Sequence, residues 1–219
     1  MVAERKVRLR SELLAARRAV PEDVRRTESG QICDHLAETV GEATTVCAYV
    51  PMGTEPGSPE ILDALSRLCP NVLLPIAHTG PDGEHLPLRW GRYVPGRLAR
   101  GRFGAHEPVG PSLPATAVAS GAVILIPALA VDRSGVRLGR GGGFYDRSLS
   151  LCAPGTRLVA VVRDSEVLDE VPGEPHDVRM THALTPGAGL MALGNARYAD
   201  SGSSTWRGRV LTVSSPPGG

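Results

Sequence analysis

Aromatic residues are scarce: they make up 4% of the 219 residues, with two Phe, two Trp and four Tyr. Lysine is scarcer still, because Lys6 is the only one among 24 basic residues. The formal net charge of +1 excludes the strong positive field that bulk nucleic-acid or membrane binding would need. Four cysteines (Cys33, Cys47, Cys69 and Cys152) are widely spaced with no CxxC pair, which excludes the common zinc and dithiol motifs. Each lies among apolar residues and reads as a small core residue in a reducing compartment. No apolar run approaches the ~20 residues that span a bilayer. The opening MVAERKVRLRSELL mixes charged and apolar residues and lacks a secretion core, so a cytoplasmic protein without membrane contact is expected. There is no internal repeat and no GxxxxGK[ST] motif. GxGxxG fails because Phe144 stands where the third glycine belongs.

What is present is concentrated in residues 137–147, RLGRGGGFYDR, which set glycines 139, 141, 142 and 143 among three arginines. Each glycine costs roughly 0.5–1 kcal/mol in backbone entropy relative to alanine. With Gly135 the sum reaches several kcal/mol, against a typical net stability of about 5–15 kcal/mol. A fold gains little from that cost. A phosphate site gains bare backbone N–H groups, close approach and flanking positive charge.

The surrounding pattern alternates strands and helices. Residues 3–19 read as a helix with Val7, Leu9, Leu13 and Leu14 on an apolar side and with Lys6 and Arg10 sharing a face. Pro21 opens a second helix in which Ile32, Leu36 and Val40 recur. A third follows Ser58 and Pro59. Strands are expected at 44–50, 71–77, 122–127 and 157–162, with weaker ones near 86–90 and 178–184, and a helix near 145–151. Residues 78–121 are rich in Gly and Pro and read mostly as surface excursion. This order predicts one α/β domain over residues 1–186, with a mostly parallel sheet covered on both faces. Residues 187–219, ending SSPPGG, are expected to be a loosely ordered tail.

Ligands of open α/β sheets sit beyond the carboxyl ends of the strands. Right-handed crossovers bring three unusual segments to that edge: PMGTEP after Val50, the stretch through RLGRGGGFYD after Pro127, and RDSEVLDEVPGEPHD after Val162. Asp146 and Asp177 would repel a polyphosphate unless Mg²⁺ bridged them. Read singly, Asp146 is equally a helix-start residue and Asp177 a turn residue. His176 fits a turn hydrogen bond or a ligand, Glu55 a solvated loop or a site, and Tyr145 ring stacking or packing. Phe103 and Phe144 fit either a ring pocket or packing under a loop.

Together these segments resemble the 5-formyltetrahydrofolate cyclo-ligase family. The match runs through KVRLR, YVPMGTEP, FGAHEP, LIPALAVDRSGVRLGRGGGFYDR and VPGEPHD, in order over about the first 185 residues. The resemblance implies a three-layer α/β/α sandwich, Rossmann-like, of the sugar-phosphate isomerase and CoA-transferase type. It implies that ATP and Mg²⁺ drive cyclisation of 5-formyltetrahydrofolate to 5,10-methenyltetrahydrofolate, with release of ADP and phosphate. By position, Lys6 and Arg10 match the ATP-contacting pair. Arg137, Leu138, Gly139, Arg140, Gly141, Gly142, Gly143, Phe144 and Tyr145 match the nucleotide loop. Of these, Arg140 through Phe144 also border the folate. Met52 and Glu55 fall where the pterin end is met, and Asp146 and Asp177 at the metal positions. Lys6, Arg137, Arg140 and Tyr145 are the candidate catalytic residues. Phe144 replaces a tyrosine of many members and so lacks its hydroxyl. A monomer is expected. Two other readings compete: a phosphosugar isomerase or acyl-CoA transferase on a related fold, and a nucleic-acid-binding regulator using the Arg-rich first helices.

Overall fold

The computed structural model describes residues 2–174 and 177–194. Its centre is a seven-stranded sheet. In chain order its strands are β1 (Thr45–Cys47), β2 (Asn71–Ile76), β3 (Arg89–Arg92), β6 (Val123–Pro127), β9 (Arg157–Val161), β11 (His182–Thr185) and β12 (Gly189–Ala192). The spatial order is β12-β11-β9-β6-β1-β2-β3. The five inner strands are parallel, and the edges β3 and β12 are antiparallel to their neighbours.

Inner strands of a parallel sheet bury both faces, and the residue alternation shows it. Val46, Val72, Leu74, Val123, Leu125, Val159 and Val161 face α2 (Glu22–Asp34), α3 (Leu36–Val40) and α4 (Glu60–Leu68), which contribute Ile32, Leu36, Val40, Ile61, Leu62 and Leu65. Cys47, Leu73, Ile124, Ile126, Leu158 and Ala160 face the other way. They meet Trp90, Val118 of the 3-10 helix Ala115–Ser120, and Leu149 of α5 (Phe144–Leu149). The result is the expected three-layer α/β/α arrangement.

A smaller three-stranded sheet stands beside it, ordered β10 (Val167–Leu168), β7 (Ala130–Asp132), β8 (Arg137–Leu138). Helix α1 (Val2–Ala19) packs here: Leu9, Leu13 and Leu14 meet Leu129, Ala130, Val136 and Leu138. Val7, expected on the apolar side, is 63% exposed. The hairpin β4 (Leu98–Arg100) and β5 (His106–Pro108) occupies the Gly/Pro-rich excursion.

Several boundaries differ from expectation. The helix from Pro21 breaks at His35 into α2 and α3, although Ile32 and Leu36 are both fully buried. The strand expected over 44–50 ends at Cys47, because Tyr49 and Val50 run on as buried wall of the cavity described below. The domain boundary expected at 186 falls inside the sheet: β12 pairs with β11 in register Thr185 to Gly189, and Leu193 is buried. The remainder of the expected tail, 195–219, lies outside the described residues.

Candidate active site

The segment between β6 and α5 carries the chemistry. β7 and β8 form a hairpin whose turn is tied down by Asp132, whose Oδ1 accepts from the Ser134 and Val136 N–H groups and whose Oδ2 accepts from the Val171 N–H. Gly135 makes the turn at φ +88°, and a Cβ there would sit 2.3 Å from the Met180 carbonyl oxygen, so no other residue fits. The hairpin delivers Arg137 to the interior with its side chain 4% exposed. Arg137 Nη2 pairs with Asp146 on α5, while Nε and Nη1 have no partner among the described residues. Burial pulls the Arg137 guanidinium below its ordinary value, and Asp146, Tyr145 and Asp177 act against that pull.

Beyond Leu138 the glycine loop lines a cavity of about 400 Å³. At Gly139 the backbone is unstrained and a Cβ would meet open space, so neither packing nor φ requires glycine there. A glycine there leaves the backbone open to close approach from the cavity. Leu138, by contrast, is 1% exposed among Leu129 and Val136 and is absent from the cavity wall, and its carbonyl accepts from the Leu129 N–H. Its side chain serves the small core rather than a nucleotide contact.

Helix α1 lies across these loops. Arg10 Nε donates to the Gly139 carbonyl at 2.9 Å. One turn earlier, Lys6 Nζ donates to Glu174 Oε2 at 3.1 Å and Asp177 Oδ2 at 3.2 Å. Burial lowers the Lys6 pKa, but these carboxylates outweigh it and leave it raised, so the ammonium is retained. Arg17 continues the same face and is 1% exposed. It grips Glu166 through two bonds, Nε to Oε1 at 2.6 Å and Nη2 to Oε2 at 2.7 Å.

The wall after β1 is different in character. The Glu55 side chain is 8% exposed. Its Oε2 accepts from the Met52 N–H at 2.9 Å, and its Oε1 lies 3.0 Å from Arg140 Nε. Burial raises the Glu55 pKa, opposed chiefly by Arg140. Tyr145 also lines the cavity, with a hydroxyl that has no partner among the described residues and that burial and then Glu55 push far above its ordinary value. Phe144, Phe103 and His85 form an aromatic cluster on the wall: His85 stacks on Phe144 at 4.1 Å, and Phe103 meets Phe144 edge-on at 5.2 Å. His85 Nδ1 lies 2.6 Å from the Gly142 carbonyl oxygen, which ties the excursion to the glycine loop.

The structure thus brings Met52, Glu55, Arg137, Gly139 through Tyr145 and Asp146 onto one cavity; Arg10 bonds to Gly139 of that wall, while Lys6 and Asp177 pair with each other and are not among the residues that line it. Sequence reasoning missed Arg17 and His85. Arg17 carried a signal, since 6, 10 and 17 fall on one helical face. His85 carried none, lying in a segment without periodicity.

The metal positions can be tested against this geometry. No group of three His, Cys, Asp or Glu forms a preformed cage among the described residues. Mg²⁺ does not need one, because it commonly takes one or two carboxylates and completes its shell with phosphate oxygens and water. Asp146 is half-exposed on the cavity wall, and Asp146 and Asp177 both act on the Arg137 guanidinium. The residues fit such an ion. His176 lies outside the described residues.

Comparison with known proteins identifies the family. The model of the 5-formyltetrahydrofolate cyclo-ligase family matches residues 2–186. A 5-formyltetrahydrofolate cyclo-ligase of Mycolicibacterium smegmatis is 54% identical over 188 residues, covering 86% of this chain and 97% of its own. One from Escherichia coli K12 is 30% identical over 148 residues, covering 66% of this chain and 79% of its own. The fold resembles the Aquifex aeolicus 5,10-methenyltetrahydrofolate synthetase with TM-score 0.70 at 24% identity, covering 95% of this chain and 96% of that one. A loop-lined cavity at the carboxyl edge of the sheet and a family match over nearly all the described residues lead to one statement: this chain belongs to the 5-formyltetrahydrofolate cyclo-ligase family.

Proposed function

We propose that this chain couples ATP hydrolysis to closure of 5-formyltetrahydrofolate into 5,10-methenyltetrahydrofolate. The observation that carries the reading is the cavity itself. It joins bare glycine backbone and a buried guanidinium with two unpartnered nitrogens to a buried carboxylate and an aromatic cluster. The first set suits a triphosphate, and the second suits a flat, donor-bearing ring.

In this reading Lys6, Arg10, Arg137 and the loop from Leu138 through Tyr145 bind ATP, with Leu138 contributing only as a buried anchor. Met52, Glu55 and residues 140–144 bind the folate. Asp146 and Asp177 would hold Mg²⁺, which supplies positive charge against phosphate oxygens. The formyl oxygen attacks the γ-phosphorus and the bond to ADP breaks. N10 then attacks the activated formyl carbon and loses its proton to solvent. The carbon–oxygen bond breaks and phosphate leaves. Lys6, Arg137 and Arg140 neutralise charge as it shifts onto phosphate oxygens. Tyr145 stays protonated and acts as a hydrogen-bond donor.

Among the described residues no helix is long and apolar enough to cross a membrane. We place the protein in the cytoplasm as a monomer acting on small molecules, without a nucleic-acid partner. Family membership leaves the isomerase, transferase and regulator readings without support. The test is the near-ultraviolet absorbance of methenyltetrahydrofolate during turnover, with ATP and Mg²⁺ omitted in turn. Absorbance should grow only when both are present; growth without ATP would refute the reading.

A further inference from the structure

Arg17 is the most deeply buried charged side chain of α1, and Glu166 does not exhaust it. Its Nη2 also donates to the Ala128 carbonyl at 2.6 Å, but its Nη1 is buried without a partner among the described residues. A buried N–H left unpaired is destabilising, so its persistence asks for an explanation. Arg17 lines the same cavity as Tyr49, Met52 and Glu55. Its charge acts on both Glu55 and Tyr49, which places it at the Glu55 part of the wall. The Tyr49 hydroxyl donates to the Pro56 carbonyl at 3.0 Å and makes no hydrogen bond with Arg17 among the described residues.

We propose that Arg17 Nη1 donates a hydrogen bond to the 4-oxo oxygen of the bound pteridine, beside Glu55. This rests on the folate reading above. The polar edge of a pterin carries two donors, the 2-amino group and N3–H, and next to them one acceptor, the 4-oxo oxygen. A carboxylate satisfies the donors and repels the oxo group. A guanidinium N–H alongside completes the match. Glu166 fixes the fork through Nε and Nη2, and Ala128 takes the second bond of Nη2. Nη1 is the nitrogen these contacts leave over. Arg17 is therefore a specificity-determining residue for 4-oxo over 4-amino rings, in which the acceptor is replaced by a donor.

The experiment compares dissociation constants of tetrahydrofolate and 4-amino-4-deoxytetrahydrofolate for wild type, Arg17→Lys and the double variant Arg17→Met/Glu166→Gln. The double variant removes both charges and leaves neither buried alone. Wild type should prefer the 4-oxo ring by about tenfold or more. That ratio should fall toward one in both variants, while ATP affinity changes by less than about twofold. A merely structural Arg17 would weaken both rings alike and leave the ratio unchanged, which would overturn the proposal. Side-chain ¹⁵N spectra of wild type give a reading that no variant's folding can obscure: the Arg17 Nη signal should shift with tetrahydrofolate and not with ATP. Absence of that shift overturns the assignment. Normal turnover with a wild-type ratio near one removes Arg17 alone, whereas failure to bind either ring removes the folate reading with it.

Discussion

Lys6 Nζ and Asp177 Oδ2 lie 3.2 Å apart, although the residues are 171 positions apart in the chain. The contact joins the sole lysine to the last of the three loops at the carboxyl edge of the sheet. It holds an ammonium and a carboxylate together at the rim of a site that would bind a polyanion and a cation. Binding of ATP with Mg²⁺ would replace each partner by a better one, phosphate for the ammonium and metal for the carboxylate.

Lys6→Ala should therefore raise the apparent KM for ATP by about tenfold or more, the worth of one charge-assisted hydrogen bond. Partly exposed ion pairs contribute only about 0–1 kcal/mol to stability. The melting temperature should accordingly change by less than about 4 °C. Steady-state kinetics and thermal melting check both; an unchanged KM would make the lone lysine incidental.

Asp146→Asn keeps a hydrogen-bond acceptor beside Arg137 and removes the charge. The Mg²⁺ concentration for half-maximal turnover should rise by about tenfold or more. A Mg²⁺ titration that overlays wild type would put the metal elsewhere.

Glu55→Gln should separate stability from function. Burial holds the folded Glu55 pKa above its ordinary value, so the folded state binds this proton more tightly than the unfolded chain does. The native carboxyl costs nothing while protonated, below its ordinary value of 4.5, and costs stability once pH rises through the folded value. The glutamine variant should melt higher than wild type at pH 7, with the difference shrinking as pH falls toward 4. Folate turnover should drop at the same time. A melting difference that does not vary with pH would contradict the buried, charged state.

Ending the chain after Gly194 should leave turnover and melting temperature at wild-type values. Ending it after Pro186 removes β12 and the buried Leu193, and burial of one leucine is worth about 1.5–3 kcal/mol. That shorter chain should melt about 3–12 °C lower. Equal melting of the two truncations would show that β12 adds nothing to the sheet.

The layered sheet was legible because its signals are local and repeated. Val123 through Pro127 is a continuous apolar run, and Ile61, Leu62 and Leu65 recur at helical spacing. The β7–β8 hairpin was not, because strands of three and two residues are too short for period-two alternation to register. Within the site, glycines 139 to 143 stood out by their cost. Asp132, which anchors the turn that presents Arg137, looked like any loop aspartate, because its four bonds reach partners as far as Val171. His85 was invisible for the same reason, its stacking partner lying 59 positions away, whereas Arg17 showed its helical face but not the carboxylate 149 positions away that holds it.

The central claim is that the glycine loop, Arg137 and Lys6 grip a triphosphate beside the pterin. A crystal structure with a non-hydrolysable ATP analogue and Mg²⁺ tests it most directly. Phosphate density should lie against residues 139–143, with Arg137 Nε or Nη1 donating to it and Lys6 turned from Asp177 toward it. Well-defined nucleotide bound elsewhere, with Lys6 still on Asp177 and Arg137 Nε and Nη1 still without partners, would contradict it.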